Sequence, residues 1–174
     1  PQEFKDLIGQ EVIAQTITNA INLGKTPNAY LLTGIRGIGK TTSARLIAKA
    51  LNCEKNLDSK TECSKKNFCG SCDEIVNSNH IDVLEMDAAS KTGIDDVREL
   101  IENSRYSPTS AQFKIFIIDE VHMLSKQAFN GLLKTLEEPP SRLKFILATT
   151  EVRKIPVTIL SRCQRFDLKR VNLE

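Results

Sequence analysis

Gly34-Ile35-Arg36-Gly37-Ile38-Gly39-Lys40-Thr41 reads G-x-x-x-x-G-K-[ST], and its flanks dictate a local topology. Before it, Ala29-Tyr30-Leu31-Leu32-Thr33 is an apolar run of strand length; after it, Thr42 to Leu51 carries helix formers at helical spacing. Strand, glycine loop and helix in that order make a cradle for phosphate. Glycines let successive backbone N–H groups turn inward onto phosphate oxygens, and the start of the helix presents its positive dipole end to the same anion. On this reading Gly34, Arg36, Gly37, Ile38, Gly39, Lys40, Thr41 and Thr42 contact a nucleotide. Lys40 brings a point charge to the β and γ phosphates, and Thr41 offers a hydroxyl to Mg²⁺. A plain glycine turn followed by a surface lysine is the competing reading, and the satisfied strand-to-helix context argues against it.

A chain of 174 residues suits one domain large enough to bury a core without covalent staples. With 40% hydrophobic and 26% charged residues it has an ordinary globular composition. Its longest apolar runs, such as Phe145-Ile146-Leu147-Ala148, are strand-sized, so no membrane span is expected. No basic start followed by an apolar core marks a secretory leader, which makes the cytoplasm the expected compartment. The net charge of +2 says little, but its distribution is uneven. Asp82 to Glu102 holds seven acidic and two basic residues, whereas Arg142 to Glu174 holds eight basic and three acidic. Two solvated surfaces explain this most simply; head-to-tail packing of subunits is the alternative.

Residues 1–27 read as an entry segment, an amphipathic helix with Val12, Ile13, Ile17 and Ile21 on one side, and a turn at Lys25-Thr26-Pro27. Residues 52–73 are polar, lysine-rich and hold four of the five cysteines, as an inserted module would. A strand is expected over Asp82 to Asp87, a helix over Asp95 to Ser104, and a strand buried on both faces over Lys114 to Ile118. Then come a helix from Lys126 to Leu136, a buried strand from Phe145 to Ala148, a short helix from Val157 to Leu160, and a last strand from Gln164 to Leu168. Alternating strands and helices without repeats give an α/β fold, an open and mainly parallel five-stranded sheet with flanking helices. Its ligand belongs beyond the carboxyl ends of the strands, where the glycine loop lies.

Asp119-Glu120 directly follows the buried run Ile115 to Ile118 and supplies what a phosphate loop lacks. Asp119 is assigned to the Mg²⁺ shell together with Thr41, and Glu120 to orienting or deprotonating an attacking water. A hydrolytic glutamate sets this chain apart from small-molecule kinases, which exclude water. His122, two residues on, reads as a positioning or core histidine. Thr149 or Thr150, at the end of the Phe145 run, brings a hydroxyl to the γ-phosphate or the water, or else caps the next turn.

With these pieces together the chain resembles the AAA+ ATPases and, within them, the tau/gamma clamp-loader subunits of bacterial DNA polymerase III. Carrying the resemblance are Phe4-Lys5-Asp6-Leu7-Ile8-Gly9-Gln10-Glu11, Thr33 to Thr42, Leu51-Asn52-Cys53, Glu85 to Ser90, Ile118 to Leu124, Leu132 to Pro140, and Leu160-Ser161-Arg162-Cys163. They extend over nearly all of the chain except the cysteine segment and loop tips. The resemblance implies that Ile8, in the Leu7-Ile8-Gly9-Gln10 box, lies over the adenine. It implies that Thr150, with Thr149 as the other candidate, senses the γ-phosphate. Arg162 then looks like an arginine finger reaching the ATP of a neighbouring subunit, a role that suits an always-charged, forked donor. Without the resemblance, Arg162 is a surface arginine at a helix end.

Cys53, Cys63, Cys69 and Cys72 are four thiols within 20 residues, ending in a C-x₂-C pair. In a cytosolic protein that pattern points to structural Zn²⁺ before disulfides. Similar proteins carry a zinc module here with a tighter C-x₂-C-x₂-C cluster; this chain has five residues between Cys63 and Cys69, which still permits tetrahedral closure. Cys163 reads as a small buried residue. The expected organisation is thus an AAA+ P-loop core over 1–174 with a zinc-binding insert at 53–72, lacking the helical lid and collar domains of the family.

The resemblance implies an ATP-hydrolysing, Mg²⁺-dependent motor subunit that loads a sliding clamp onto primed DNA, with other clamp-loader subunits and copies of itself in a ring as partners. A related AAA+ ATPase, such as a branch-migration helicase motor or a replication-fork maintenance ATPase, is the runner-up. A non-catalytic scaffold or DNA-binding zinc module with a relic loop is the third, and intact Lys40, Thr41, Asp119 and Glu120 oppose it. No carboxylate set for nucleotide addition is apparent, so any DNA-directed DNA polymerase or transferase label belongs to the assembly served.

Overall fold

The computed structural model describes residues 15–17, 19–20, 23–35, 39–53, 70–77, 80, 82–89, 113–140 and 142–169. Among these residues five strands form one sheet: β1 (Ala29–Thr33), β2 (Val83–Asp87), β3 (Lys114–Asp119), β4 (Leu143–Thr149) and β5 (Gln164–Asp167). Around them lie helices α1 (Lys40–Asn52), α2 (Gly70–Val76), α3 (Lys126–Glu137) and α4 (Val157–Leu160), and short 3₁₀ turns at Val121–Met123 and Val152–Lys154. The order across the sheet is β2-β3-β4-β1-β5, and every pairing is parallel. From β1 the chain crosses to the far edge, returns through β2, β3 and β4, and then adds β5 outside β1. This path sets the ends of β3 and β4 beside the loop that follows β1.

Period-two alternation divides the central strands between two cores. Leu31, Phe116, Ile118, Phe145 and Leu147 face one side, against Phe129, Leu132 and Leu136 of α3 and Ile159 of α4. Tyr30, Leu32, Ile115, Ile117, Ile146 and Ala148 face the other, against Ala44, Ile47 and Leu51 of α1, Ile75 of α2 and Ile17. All five residues of β1 and all seven of β4 are buried, whereas edge strands β2 and β5 are mostly open. Continuous apolar runs are what strands covered on both faces require, each large side chain contributing about 1.5–3 kcal/mol.

Helix ends follow local chemistry. The Ser125 Oγ accepts the Ala128 N–H at 3.1 Å and starts α3, and Glu138-Pro139-Pro140 stops it. By contrast α1 starts at Gly39, in left-handed backbone at φ 95°, with no side-chain capping bond. Among the described residues no side chain caps its first N–H groups, the arrangement an anion site needs.

Several boundaries differ from expectation. The turn expected at Lys25-Thr26-Pro27 falls at Leu23-Gly24, because Gly24 at φ 66° lets the Lys25 N–H return to the Ala20 carbonyl. Strand β2 begins one residue late: the Asp82 N–H is taken by His80 Nδ1 at 3.0 Å. The polar insert yields to helix α2 at Gly70, where Cys72 and Ile75, three apart, are both buried. Strand β5 ends at Asp167, and Cys163 is half-buried rather than fully buried, since it sits in the turn between α4 and β5. The helix expected over Asp95 to Ser104, and Val12, Ile13 and Ile21 of the entry helix, lie outside the described residues; Ile17 is helical and buried.

Candidate nucleotide site

A cavity of about 750 Å³ opens at the carboxyl ends of the strands, a size that accommodates a nucleotide. Gly39, just before α1, and Lys40, Thr41 and Thr42 in its first turn line it; so do Asp119 at the end of β3, Glu120 and His122 just after it, and Thr150 just after β4. Of the nucleotide contacts expected from sequence, Ile8, Arg36, Gly37 and Ile38 lie outside the described residues, while Gly34 belongs to the loop after β1.

Lys40 is only 6% exposed, and its Nζ donates to the carbonyls of Gly34 at 2.9 Å and Ile35 at 3.0 Å. An ammonium has three protons, so one remains for a phosphate without breaking either bond. The Thr41 hydroxyl donates to Asp119 Oδ2 at 3.0 Å, and Asp119 Oδ1 accepts the Glu120 N–H at 2.9 Å. Hydroxyl and carboxylate, 78 residues apart in sequence, thus meet as a pair of hard oxygen donors of the kind Mg²⁺ takes.

Glu120 occupies the left-handed region at φ 51°, ψ 44°, which costs a non-glycine residue about 1–2 kcal/mol and is a mark of functional turns. Its Oε2 accepts the Thr150 hydroxyl at 3.1 Å and lies 3.5 Å from His122 Nδ1. The same ring nitrogen is 2.8 Å from Thr149 Oγ1. Thr149 is fully buried and does not line the cavity; Thr150, next along the strand, does.

Sequence reasoning missed one acid. Asp87 ends β2 directly opposite Asp119 and lines the cavity, its carboxylate accepting the Ala89 N–H at 2.9 Å. Its signal was the position it shares with Asp119, the last residue of a strand. The apolar lining residues Ile35 and Met123, both about half exposed, carried no signal beyond their neighbours in the motifs.

Arg162 does not join this site. It lies after α4, donating to the Thr158 carbonyl at 2.8 Å and to Glu137 at 3.2 Å. Cys53 and Cys72 are buried, and Cys72 Sγ lies 4.0 Å from the Lys49 carbonyl oxygen; Cys63 and Cys69 are outside the described residues. No group of three or more metal-binding side chains occurs among the described residues. Burial pushes the Cys163 thiol up to about 11.

A family model described as DNA polymerase III, delta subunit, matches residues 9–172. The chain belongs to this DNA polymerase III family. Among relatives, it is 50% identical over 174 residues to DNA polymerase III subunit tau of Escherichia coli (strain K12), covering all of this chain and 26% of that protein. It is 53% identical over 174 residues to DNA polymerase III subunit gamma of Buchnera aphidicola subsp. Schizaphis graminum, covering 100% and 47%. To subunit tau of Bacillus subtilis it is 52% identical over 171 residues, covering 98% and 30%. This DNA polymerase III family chain therefore spans between about a quarter and a half of the length of the curated relatives it matches. Among solved structures, a DNA polymerase III gamma subunit-related protein of Thermotoga maritima aligns with TM-score 0.63 at 23% identity, over 93% of this chain and 46% of that one. The RuvB Holliday junction branch migration motor of the same organism aligns with TM-score 0.62 at 22% identity, over 97% and 47%. The fold is that of these proteins, an α/β P-loop sheet. Among the described residues, no helix is long and apolar enough to cross a membrane.

Proposed function

We propose that this chain is the ATP-binding and ATP-hydrolysing core of a motor subunit of the DNA polymerase III clamp loader, working in the cytoplasm. One observation carries the reading: Lys40, the Thr41–Asp119 pair and the Glu120–Thr150 pair converge on one cavity, in a chain about 50% identical along its whole length to tau and gamma subunits. The glycine loop, with Arg36, Gly37 and Ile38, wraps the phosphates, Ile8 lies over the adenine, and Lys40 meets the β and γ phosphates. Thr41 and Asp119 would hold Mg²⁺, which when bound would supply charge to offset that of the triphosphate. Glu120 orients a water and takes its proton as the water oxygen bonds the γ-phosphorus and the β–γ bridging oxygen leaves. Thr150 reads the γ-phosphate by passing its one hydroxyl proton from Glu120 Oε2 to a phosphate oxygen when ATP is bound.

Arg162, pinned outside its own cavity, serves the ATP of the next subunit in a ring of copies and other clamp-loader subunits. Hydrolysis in that ring drives loading of the sliding clamp onto primed DNA. The thiols of Cys53, Cys63, Cys69 and Cys72 suit Zn²⁺ in donor type, and the burial of Cys53 and Cys72 agrees with a structural role. The branch-migration alternative has only a distant likeness behind it, at 22% identity.

The test is Glu120→Gln in the full-length protein. ATP binding within about threefold of wild type with hydrolysis lowered at least about 100-fold is the expected result, the size of a lost general base. Turnover at the wild-type rate returns Glu120 to a surface acid and removes the motor reading.

A further inference from the structure

Thr149, which ends β4, and Thr150, which follows it, divide one task between them. Thr150 holds Glu120 directly, hydroxyl to Oε2 at 3.1 Å. Thr149 is buried completely, and its Oγ1 already accepts the Glu151 N–H at 3.0 Å. A buried hydroxyl proton needs an acceptor of its own, and among the described residues His122 Nδ1, at 2.8 Å, is the one within reach. Donation from Thr149 fixes the ring as the tautomer with its proton on Nε2 and a lone pair on Nδ1. With that lone pair taken by Thr149, Nδ1 stands 3.5 Å from Glu120 Oε2 with no proton to offer it, and only 7% of the His122 side chain is exposed.

The ring is thereby a backstop. Glu120 leaves the backbone from a left-handed turn, is drawn to one side by Thr150, and is kept from swinging further by an imidazole that cannot donate to it. Glu120 itself lines the cavity. We propose that His122, braced by Thr149, is a positioning residue for hydrolysis that sets where the Glu120 carboxylate rests and so where it meets the attacking water. This rests on the hydrolytic reading of Glu120. His122 here is neither a proton acceptor in the reaction nor core filling, and loss of its Nδ1 lone pair is felt in turnover and not in nucleotide affinity.

The experiment uses the full-length protein in its assembled complex, with ATP as substrate. His122→Phe keeps a ring without Nδ1; it is expected to lower kcat about tenfold with KM and ATP affinity within about twofold, since a carboxylate displaced by a fraction of an ångström loses aim but not binding. His122→Asn presents an amide oxygen near the Nδ1 position for Thr149 and is expected to recover most of the loss. Thr149→Val should reproduce the His122→Phe defect, and the double variant should be no worse than either alone. Unchanged kcat in His122→Phe overturns the proposal. So does a defect confined to KM or to thermal stability, a failure of Asn to rescue, or fully additive losses in the double variant. If Glu120→Gln is inactive while His122→Phe turns over normally, this inference alone fails; if Glu120→Gln is fully active, the hydrolytic reading fails with it.

Discussion

Lys40→Met tests the site at its most charged point, because the methionine keeps the buried stem and removes only the ammonium. In the structure Nζ spends two protons on the Gly34 and Ile35 carbonyls and has one left for phosphate. With the residue 6% exposed, most of its desolvation is already complete before a ligand arrives. Two unit charges about 4 Å apart at an effective dielectric of about 20 attract by about 4 kcal/mol. A water entering the vacated space donates in the ammonium's place and restores about 1–1.5 kcal/mol. The net loss is near 2.5–3 kcal/mol, about 100-fold in Kd. Calorimetric titration with Mg·ATP at fixed ionic strength reads this directly, and thermal unfolding gives an independent measure. At ATP about 100 times the wild-type Kd, the wild type gains about 2.7 kcal/mol from binding and the variant about 0.4 kcal/mol. Without nucleotide the two should differ by no more than about 1 kcal/mol, since Ile35, one of the two residues whose carbonyls are released, lines the cavity, where water can replace the ammonium. A folded variant that binds ATP within threefold of wild type refutes the reasoning, and confines Lys40 to bracing the loop.

Three further outcomes are expected. Thr33 donates to the Asp167 carboxylate and, with Arg165, holds its pKa below the ordinary 3.8; the resulting stability is present above that value and lost as pH falls through the lowered one. Urea unfolding of Thr33→Val should therefore show a deficit at pH 7 that shrinks toward pH 3, and a deficit constant with pH would rule this out. Arg162→Ala breaks an exposed pair with Glu137 and should cost the fold no more than about 1 kcal/mol while sharply lowering ATP hydrolysis in the assembled ring; hydrolysis unaltered in the ring would return Arg162 to the surface. Metal analysis of the full-length protein should find one Zn per chain, released on denaturation with a chelator, and a metal-free folded protein would dismiss the four-thiolate site.

Much of the site was legible because the chemistry is written in contiguous runs. Gly34 to Thr41 demands a strand before it and a helix after it, and both are found at Ala29–Thr33 and Lys40–Asn52. The uninterrupted Ile115 to Ile118 reads as a strand covered on both faces, which carries Asp119 to the end of the sheet. Harder to read was anything depending on which side of a strand end a residue takes. Thr149 and Thr150 are equivalent in sequence, yet alternation buries the first against His122 and turns the second to the cavity. Asp87 looked like one more acid in an acidic stretch until β2 paired with β3 in the register that sets it opposite Asp119.

By itself, then, the order of residues determined a glycine loop between a strand and a helix, the α/β class and two acids at the end of a buried strand, because glycine freedom, apolar periodicity and charge are local properties. Only the tertiary structure decided that the loop lies two strands from those acids, with β4 between. Strand order follows from how helices cover both faces of a parallel sheet, a balance of burial over the whole chain that no local pattern contains. It also decided that His122 faces a buried hydroxyl and that Arg162 turns away from its own cavity, since both depend on side chains from distant segments competing for the same space.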